Sequence, residues 1–240
     1  MGLNERFFSS SSCDEPSTTG LQLFLDASDT NSYPGTGSTW FDLTANGYNA
    51  TNNGATWNNA GYFEVQSGDY FRLPTGAPFN RSNTIKSISA WVKADTTTSS
   101  VFPFSVSSSS SQADLFYFVY AGAINKVLIE VRDGSNSNAS FKEATMVSDT
   151  DWHHIVAQLT ATGVEIYLDG VSKTVSYSNS GSGNNTSWIA YPSYAGTPIA
   201  EIGSLRATNR ITSDGSISKV RLYDIVLTQT EIDNLYCEGR

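Results

Sequence analysis

The chain has 240 residues, 39% hydrophobic and only 15% charged, enough for a sizeable core whose solubility rests on neutral Ser, Thr, Asn and Gly. Fourteen Lys and Arg against 23 Asp and Glu leave a formal charge of -9; with no basic cluster to offset it, nucleic acid is not expected as a partner. No run approaches the roughly 18 apolar residues that cross a bilayer, and residues 1–20 lack the apolar stretch of an export signal, so neither membrane insertion nor self-directed export is expected.

Residues 1–19 show no strand or helix period and are expected to form a flexible N-terminal arm. Phe7 and Phe8 are its anchor candidates, because a solvated tail gains nothing by exposing two rings; the expectation is that they fix the domain to a larger assembly, the alternative being that they fold back onto a patch of their own domain. From residue 20 to residue 240 the pattern is that of one all-β domain, with short period-two segments separated by Gly, Asn, Asp and Ser. Leu21, Leu23 and Leu25 share one predicted face. Val127, Ile129 and Val131 point inward while Lys126, Glu130 and Arg132 point outward, and Asp133-Gly134 turns the chain into a strand over 140–147. Ile155, Ala157 and Leu159 alternate in one strand of a hairpin, Val164, Ile166 and Leu168 in the next, and Asp169-Gly170 makes a further tight turn. Residues 107–111 and 178–187 read as loops inside the domain. One helix closes the chain: Thr228 and Glu231 form a capping box, and Ile232, Leu235 and Tyr236 follow at i, i+3 and i+4.

Candidate chemistry is sparse. His153 and His154 are the only histidines, and adjacent strand residues point to opposite faces, so they cannot converge on one metal or substrate atom. The nucleophile elbow GxSxG is absent, and the glycines of PGTGS and GSGNNTS lack the lysine and strand-to-helix setting of a phosphate loop. Cys13 and Cys237 have no zinc-ligand spacing, and any disulfide between them would be a single terminal staple. Oxygen ligands gather around Asp26, Asp42, Asn46 and Asp69 without EF-hand spacing, and the same side chains suit Asx turns, so no cofactor is required and a structural calcium stays unassigned.

Four blocks carry a resemblance to a known family: LQLFLDASDTNSYPGTGSTWFDLTANGYNAT (21–51), SISAWVK (87–93), DWHHIVAQLTATGVEIYLDG (151–170) and EIGSLRATNRITSDGSISKVRLYDIVLTQTEIDNLY (201–236). They resemble the laminin G-like, pentraxin-like modules of the concanavalin A-like lectin/glucanase superfamily, of the kind found in bacterial surface proteins and in phage and viral structural proteins. The resemblance implies a two-sheet antiparallel jelly-roll sandwich with first and last strands adjacent. With that adjacency Cys13 and Cys237 could approach within bridging distance, the alternative being that the arm leads Cys13 away. Glucanases of the superfamily carry an ExDxxE strand that this chain lacks. Glu130 and Glu165 have the wrong spacing to a second acid, so no catalytic residue is expected.

Sugar binding in such folds uses aromatic rings in loops. Trp188, Tyr191 and Tyr194, flanked by Asn184 and Asn185, are the carbohydrate-binding candidates; packing of the loop onto the sandwich is the alternative. The resemblance implies a non-catalytic virion decoration or adhesion protein, assembled in a host cytoplasm, displayed on the virion surface beside other virion proteins and able to bind host glycans. The alternative is a carbohydrate-binding module of a bacterial surface or secreted protein.

Overall fold

The computed structural model describes residues 13–75, 84–109, 114–134, 139–179, 184, 186–189, 192, 196–205 and 211–240. In chain order the strands are β1 (Leu21–Asp26), β2 (Thr39–Trp40), β3 (Ala50–Asn53), β4 (Thr56–Asn58), β5 (Tyr62–Val65), β6 (Tyr70–Arg72), β7 (Ser87–Ala94), β8 (Ser100–Ser108) and β9 (Leu115–Ala121). They continue as β10 (Lys126–Arg132), β11 (Ala139–Thr145), β12 (Trp152–Leu159), β13 (Val164–Leu168), β14 (Val171–Lys173), β15 (Val175–Asn179), β16 (Pro198–Ile202), β17 (Ser204–Leu205), β18 (Ile211–Thr212) and β19 (Gly215–Tyr223). Helix α1 spans Gln229–Cys237.

Two large antiparallel sheets form the sandwich. The first runs β14-β13-β12-β7-β19-β5-β4, with β1 also on β19; the second runs β15-β11-β10-β9-β8-β16-β6-β3-β2. Strand β19 serves three neighbours: Gly215–Ile217 pair with β5, the stretch from Lys219 to Tyr223 pairs with β1, and β7 lines its other edge. The alternation expected of β10, β12 and β13 is present, because Val127, Ile129, Val131, Ile155, Ala157, Val164 and Ile166 all enter one core between the sheets. At the centre Trp40, Phe63 and Phe71 meet with ring centroids 4.8–4.9 Å apart in tilted and edge-on contacts, the geometry aromatic quadrupoles favour. The expected Asp169-Gly170 turn joins β13 to β14 with both residues at positive φ (52° and 73°), which a two-residue hairpin of this hand requires.

One predicted face needs correction. Leu23 and Leu25 lie in the core, but a register shift between Leu21 and Leu23 turns Leu21 to the opposite side, where it packs beneath α1. An inserted residue flips everything beyond it, and the sequence alternation cannot show that.

Each sheet's outer face has its own cover. Over the first, Ile232 and Leu235 of α1 bury against Val156, Tyr167, Tyr223 and Leu227. The helix starts at the expected capping box, with Thr228 Oγ1 accepting from Glu231 N and the Glu231 carboxylate accepting from Thr228 N. It ends at Cys237, which is disulfide-bonded to Cys13 with a Cα–Cα distance of 5.9 Å. Beneath it Lys219 Nζ and Arg221 donate to the Glu238 carboxylate at 2.9 and 2.8 Å, and Lys219 also faces Asp26 at 3.6 Å. Over the second sheet, Leu205 closes a smaller apolar cluster of Phe102, Leu115, Val119, Ala121 and Leu128, with Tyr117 at its edge.

Candidate functional site

Strand register sets a row of polar side chains across the outer face of the second sheet. Glu130 of β10 pairs with Tyr117 of β9, Tyr117 with Ser105 of β8, Ser105 with Glu201 of β16, and Glu201 with Arg72 of β6. Directly opposed residues share a face, so these five project together. The charges neutralise one another locally. Glu130, almost fully buried, accepts from Tyr117 Oη and Arg132; Glu201, fully buried, accepts from Arg72 Nε at 2.9 Å and Ser204 Oγ at 2.6 Å. Three strand spacings separate the two carboxylate-bearing backbones, about 14 Å, against the roughly 5 to 9.5 Å that places two carboxyl groups about a glycosidic bond. Each acid is already held by an arginine. The row pairs its charges across and along the sheet.

At the end of this face a cleft of about 490 Å³ opens, lined by Gln66, Ser67, Ile211, Thr212, Ser213 and Asp214. Its walls are two turns tied together: Gly68 N donates to Thr212 Oγ1 at 3.1 Å, and Asp69 closes the β5–β6 turn by accepting from Gln66 N at 3.0 Å. Ser213 Oγ accepts from Phe102 N and Asp214 accepts from Ser99 Oγ, both at 2.9 Å, which fixes the floor to β8 and to the residue before it. Gln66 is oriented by Asp95 at 2.6 Å. The lining therefore offers an amide, hydroxyls and a carboxylate at fixed positions beside Ile211, an exposed aliphatic side chain. That combination can hydrogen-bond the edge of a polyol while covering its C–H face.

The loop candidates divide. Trp188 is a correction: it is fully buried, with Nε1 donating to Ile85 O at 2.9 Å and its ring 4.9 Å edge-on from Phe116. A ring enclosed on all sides has no face to offer a sugar. Asn184 is exposed but committed locally, its Oδ1 accepting from Thr186 N at 2.9 Å and Thr186 Oγ1 at 2.7 Å. Asn185, Tyr191 and Tyr194 lie outside the described residues, as do Phe7 and Phe8 of the expected arm. Cys13, also placed in that arm, is tied to the end of α1.

The histidines face opposite ways. His153 bonds Asp169 through Nδ1 and Asp149 through Nε2, both at 2.8 Å, and stacks on Tyr120 at 5.5 Å. Burial works against its charge, yet the two carboxylates outweigh it and raise the imidazole from 6.5 to about 9. His154 lies in the stack of Trp91 and Tyr236, where burial and then the charges of Arg221 and Lys219 push it down to about 3. Ser89 Oγ is 2.8 Å from His154 Nε2, but the His154 Nδ1 atom has no hydrogen-bond partner among the described residues. Without a carboxylate to orient the ring, this contact is not an activated serine.

The oxygen-rich turns are satisfied by the protein itself. The Asp42 carboxylate accepts from Phe24 N, Thr44 N, Thr44 Oγ1 and Tyr48 N, and Asp26 Oδ1 accepts from Ser28 N and Oγ. Asn46 donates to Gln22 O, and Asp69 closes its own turn. Among the described residues no group of three or more His, Cys, Asp or Glu side chains converges as a metal would need.

The architecture recurs in known structures. Trypanosoma rangeli sialidase in complex with 2,3-difluorosialic acid matches with a TM-score of 0.63 at 18% identity, covering 91% of this chain and 33% of that one; the chain thus spans a third of the length of that enzyme. The CBM40 of Ruminococcus gnavus IT-sialidase matches with a TM-score of 0.58 at 12% identity, covering 73% of this chain and 96% of that one. The same module bound to alpha2,3 sialyllactose gives the same values. At these identities the likeness is one of fold. No curated protein matches by sequence. The Laminin_G_3 family model matches residues 65–233, the stretch that supplies β6 to β19 and the first part of α1, and the chain therefore belongs to the concanavalin A-like lectin/glucanases superfamily.

Proposed function

We propose that this domain is a non-catalytic carbohydrate-binding or adhesion module that holds a glycan at the cleft between the β5–β6 turn and the β17–β18 hairpin. The observation that carries the reading is the lining of that cleft, where Gln66, Ser67, Thr212, Ser213 and Asp214 surround the exposed Ile211. The separation and arginine pairing of Glu130 and Glu201 support the absence of glycoside hydrolysis. The likeness to a module solved with sialyllactose makes sialyllactose the first probe. Binding of the whole chain to a glycan array, followed by calorimetry, tests the reading. Ile211→Asp and Ser67→Trp are expected to abolish the interaction without loss of fold, since both positions are solvent-facing. Retained affinity in both variants would move the site elsewhere, and glycosidase turnover abolished by Glu130→Gln would overturn the non-catalytic reading.

The Cys13–Cys237 bond supports a setting outside reducing cytosol. We place the module on a virion surface or, alternatively, on a bacterial cell surface or among secreted proteins. Stoichiometric recovery with purified particles separates the first from the others.

A further inference from the structure

Lys142 is a buried amine with no carboxylate partner among the described residues. It lies on β11 in phase with Ser140 and Ala144, opposite Ile129 of β10 and Tyr177 of β15, so its stem enters the sandwich. Nζ donates to Ser140 Oγ at 2.7 Å and to Ser187 O at 2.9 Å, and the Tyr177 ring centroid is 6.0 Å away. An ammonium has three donors, and these two bonds leave the third without a protein acceptor among the described residues. The titratable groups around it are Tyr177 on β15 and Glu165 on β13, whose carboxylate is engaged by Gln158 and Tyr167. No carboxylate of the described residues forms an ion pair with it.

Beside the amine is a pocket of about 180 Å³, lined also by Thr162, Gly163, Val164, Val175, Tyr177 and Glu165, whose carboxylate accepts from Gln158 and Tyr167 at the pocket wall. We propose that this pocket binds a small carboxylate, with the Lys142 ammonium as its counter-ion. The cation sets the charge of the ligand. The apolar walls of Val164 and Val175 and the tyrosine ring select a carbon-bearing acid over a bare inorganic anion. The volume, room for roughly six waters, sets the size at about that many non-hydrogen atoms. A buried unpaired charge is costly unless it loses its proton or gains an anion. Burial alone has already brought Lys142 from 10.5 to about 7, so a ligand anion and the proton bind together. The site lies at the β15–β11 edge of the second sheet and is separate from the glycan cleft.

The test follows the Lys142 Nζ resonance of 15N-lysine-labelled protein during titration with L-lactate. A saturable shift is expected at about pH 6 with a Kd on the order of 1 mM. The affinity should fall tenfold or more by about pH 9, as the free amine loses its proton, and the shift should be absent with propane-1,2-diol. Lys142→Met, an apolar replacement of similar length, is expected to fold and to lose lactate binding by calorimetry, while Ile211→Asp leaves it intact. An equal response to sodium chloride would overturn the carboxylate assignment in favour of an inorganic anion. No response at ten times the expected Kd, or undiminished binding by folded Lys142→Met, would overturn the site.

Discussion

Two buried lysines on opposite sides of the sandwich meet different fates. Under α1, Lys219 lies between Glu238 and Asp26 and shares the first with Arg221, so the outer face of the first sheet is a closed ionic cluster beneath a helix. At the β11–β15 edge, Lys142 has, among the described residues, a hydroxyl, a carbonyl, the Tyr177 ring and a pocket. The first arrangement places charge where the chain itself supplies the counter-charge, and removing one partner strands the others. The second leaves a position open. Buried charge is structural where its partners are covalently part of the fold and chemically available where they are not.

The comparison can be broken most strongly at the covalent end of the helix. Reducing Cys13–Cys237, which closes a loop of 224 residues, is expected to cost up to about 5 kcal/mol on the chain-entropy model. Urea denaturation with and without reductant measures it; a change under about 1 kcal/mol would mean that the ionic cluster alone holds α1. Next in size is Trp188→Ala, expected to destabilise by about 4 kcal/mol through a core cavity and the lost bond to Ile85. The same change should loosen the Ser187 carbonyl that receives Lys142, visible as a moved Lys142 Nζ resonance. Glu238→Gln should cost about 2 kcal/mol, because Lys219 and Arg221 lose their shared anion while Glu238 itself is part-exposed. Lys142→Met should instead be neutral or stabilising by about 1 kcal/mol at acid pH. Equal losses in these two variants, read from denaturation midpoints at constant m, would erase the contrast between the lysines.

The smallest effect sharpens the contrast through pH. His153 is raised to about 9 in the fold, so its stabilisation is complete below 6.5 and is lost as pH rises through 9. Lys142 is lowered to about 7, so the unfolded chain binds the extra proton between 7 and 10.5 and this group makes stability rise with pH across that window. The two slopes oppose each other between 7 and 9. Lys142→Met should therefore steepen the alkaline loss of stability, and His153→Gln should reverse its sign. Parallel curves for wild type and both variants would remove either group from the balance.

The elements that alternation or capping dictates, β10, β12, β13 and α1, were legible because each is decided within a few residues. The opposed faces of His153 and His154 follow from the same local rule. The row from Glu130 to Arg72 was not legible, because it joins five strands far apart in sequence and exists only once register is set. Trp188 was misread for a related reason. Its neighbours Asn184, Thr186 and Ser187 look like surface, while the carbonyl that satisfies its indole belongs to Ile85, 103 positions away. Lys142 did leave a trace: in SFKEA it falls in phase with Ser140 and Ala144, out of phase with Glu143. A lysine on the small-residue side of an alternating strand is the signal that finds it.

The bond between Cys13 and Cys237 also has a mechanical meaning. Tension applied at residues 13 and 237 runs through two sulfur atoms and never loads β1, β19 or anything between them. The folded domain then contributes almost no extension under force, whereas the reduced chain would release a hidden contour on the order of 750 Å. A domain built this way transmits a pull as a short rigid link, and its sandwich keeps its shape while the load passes by.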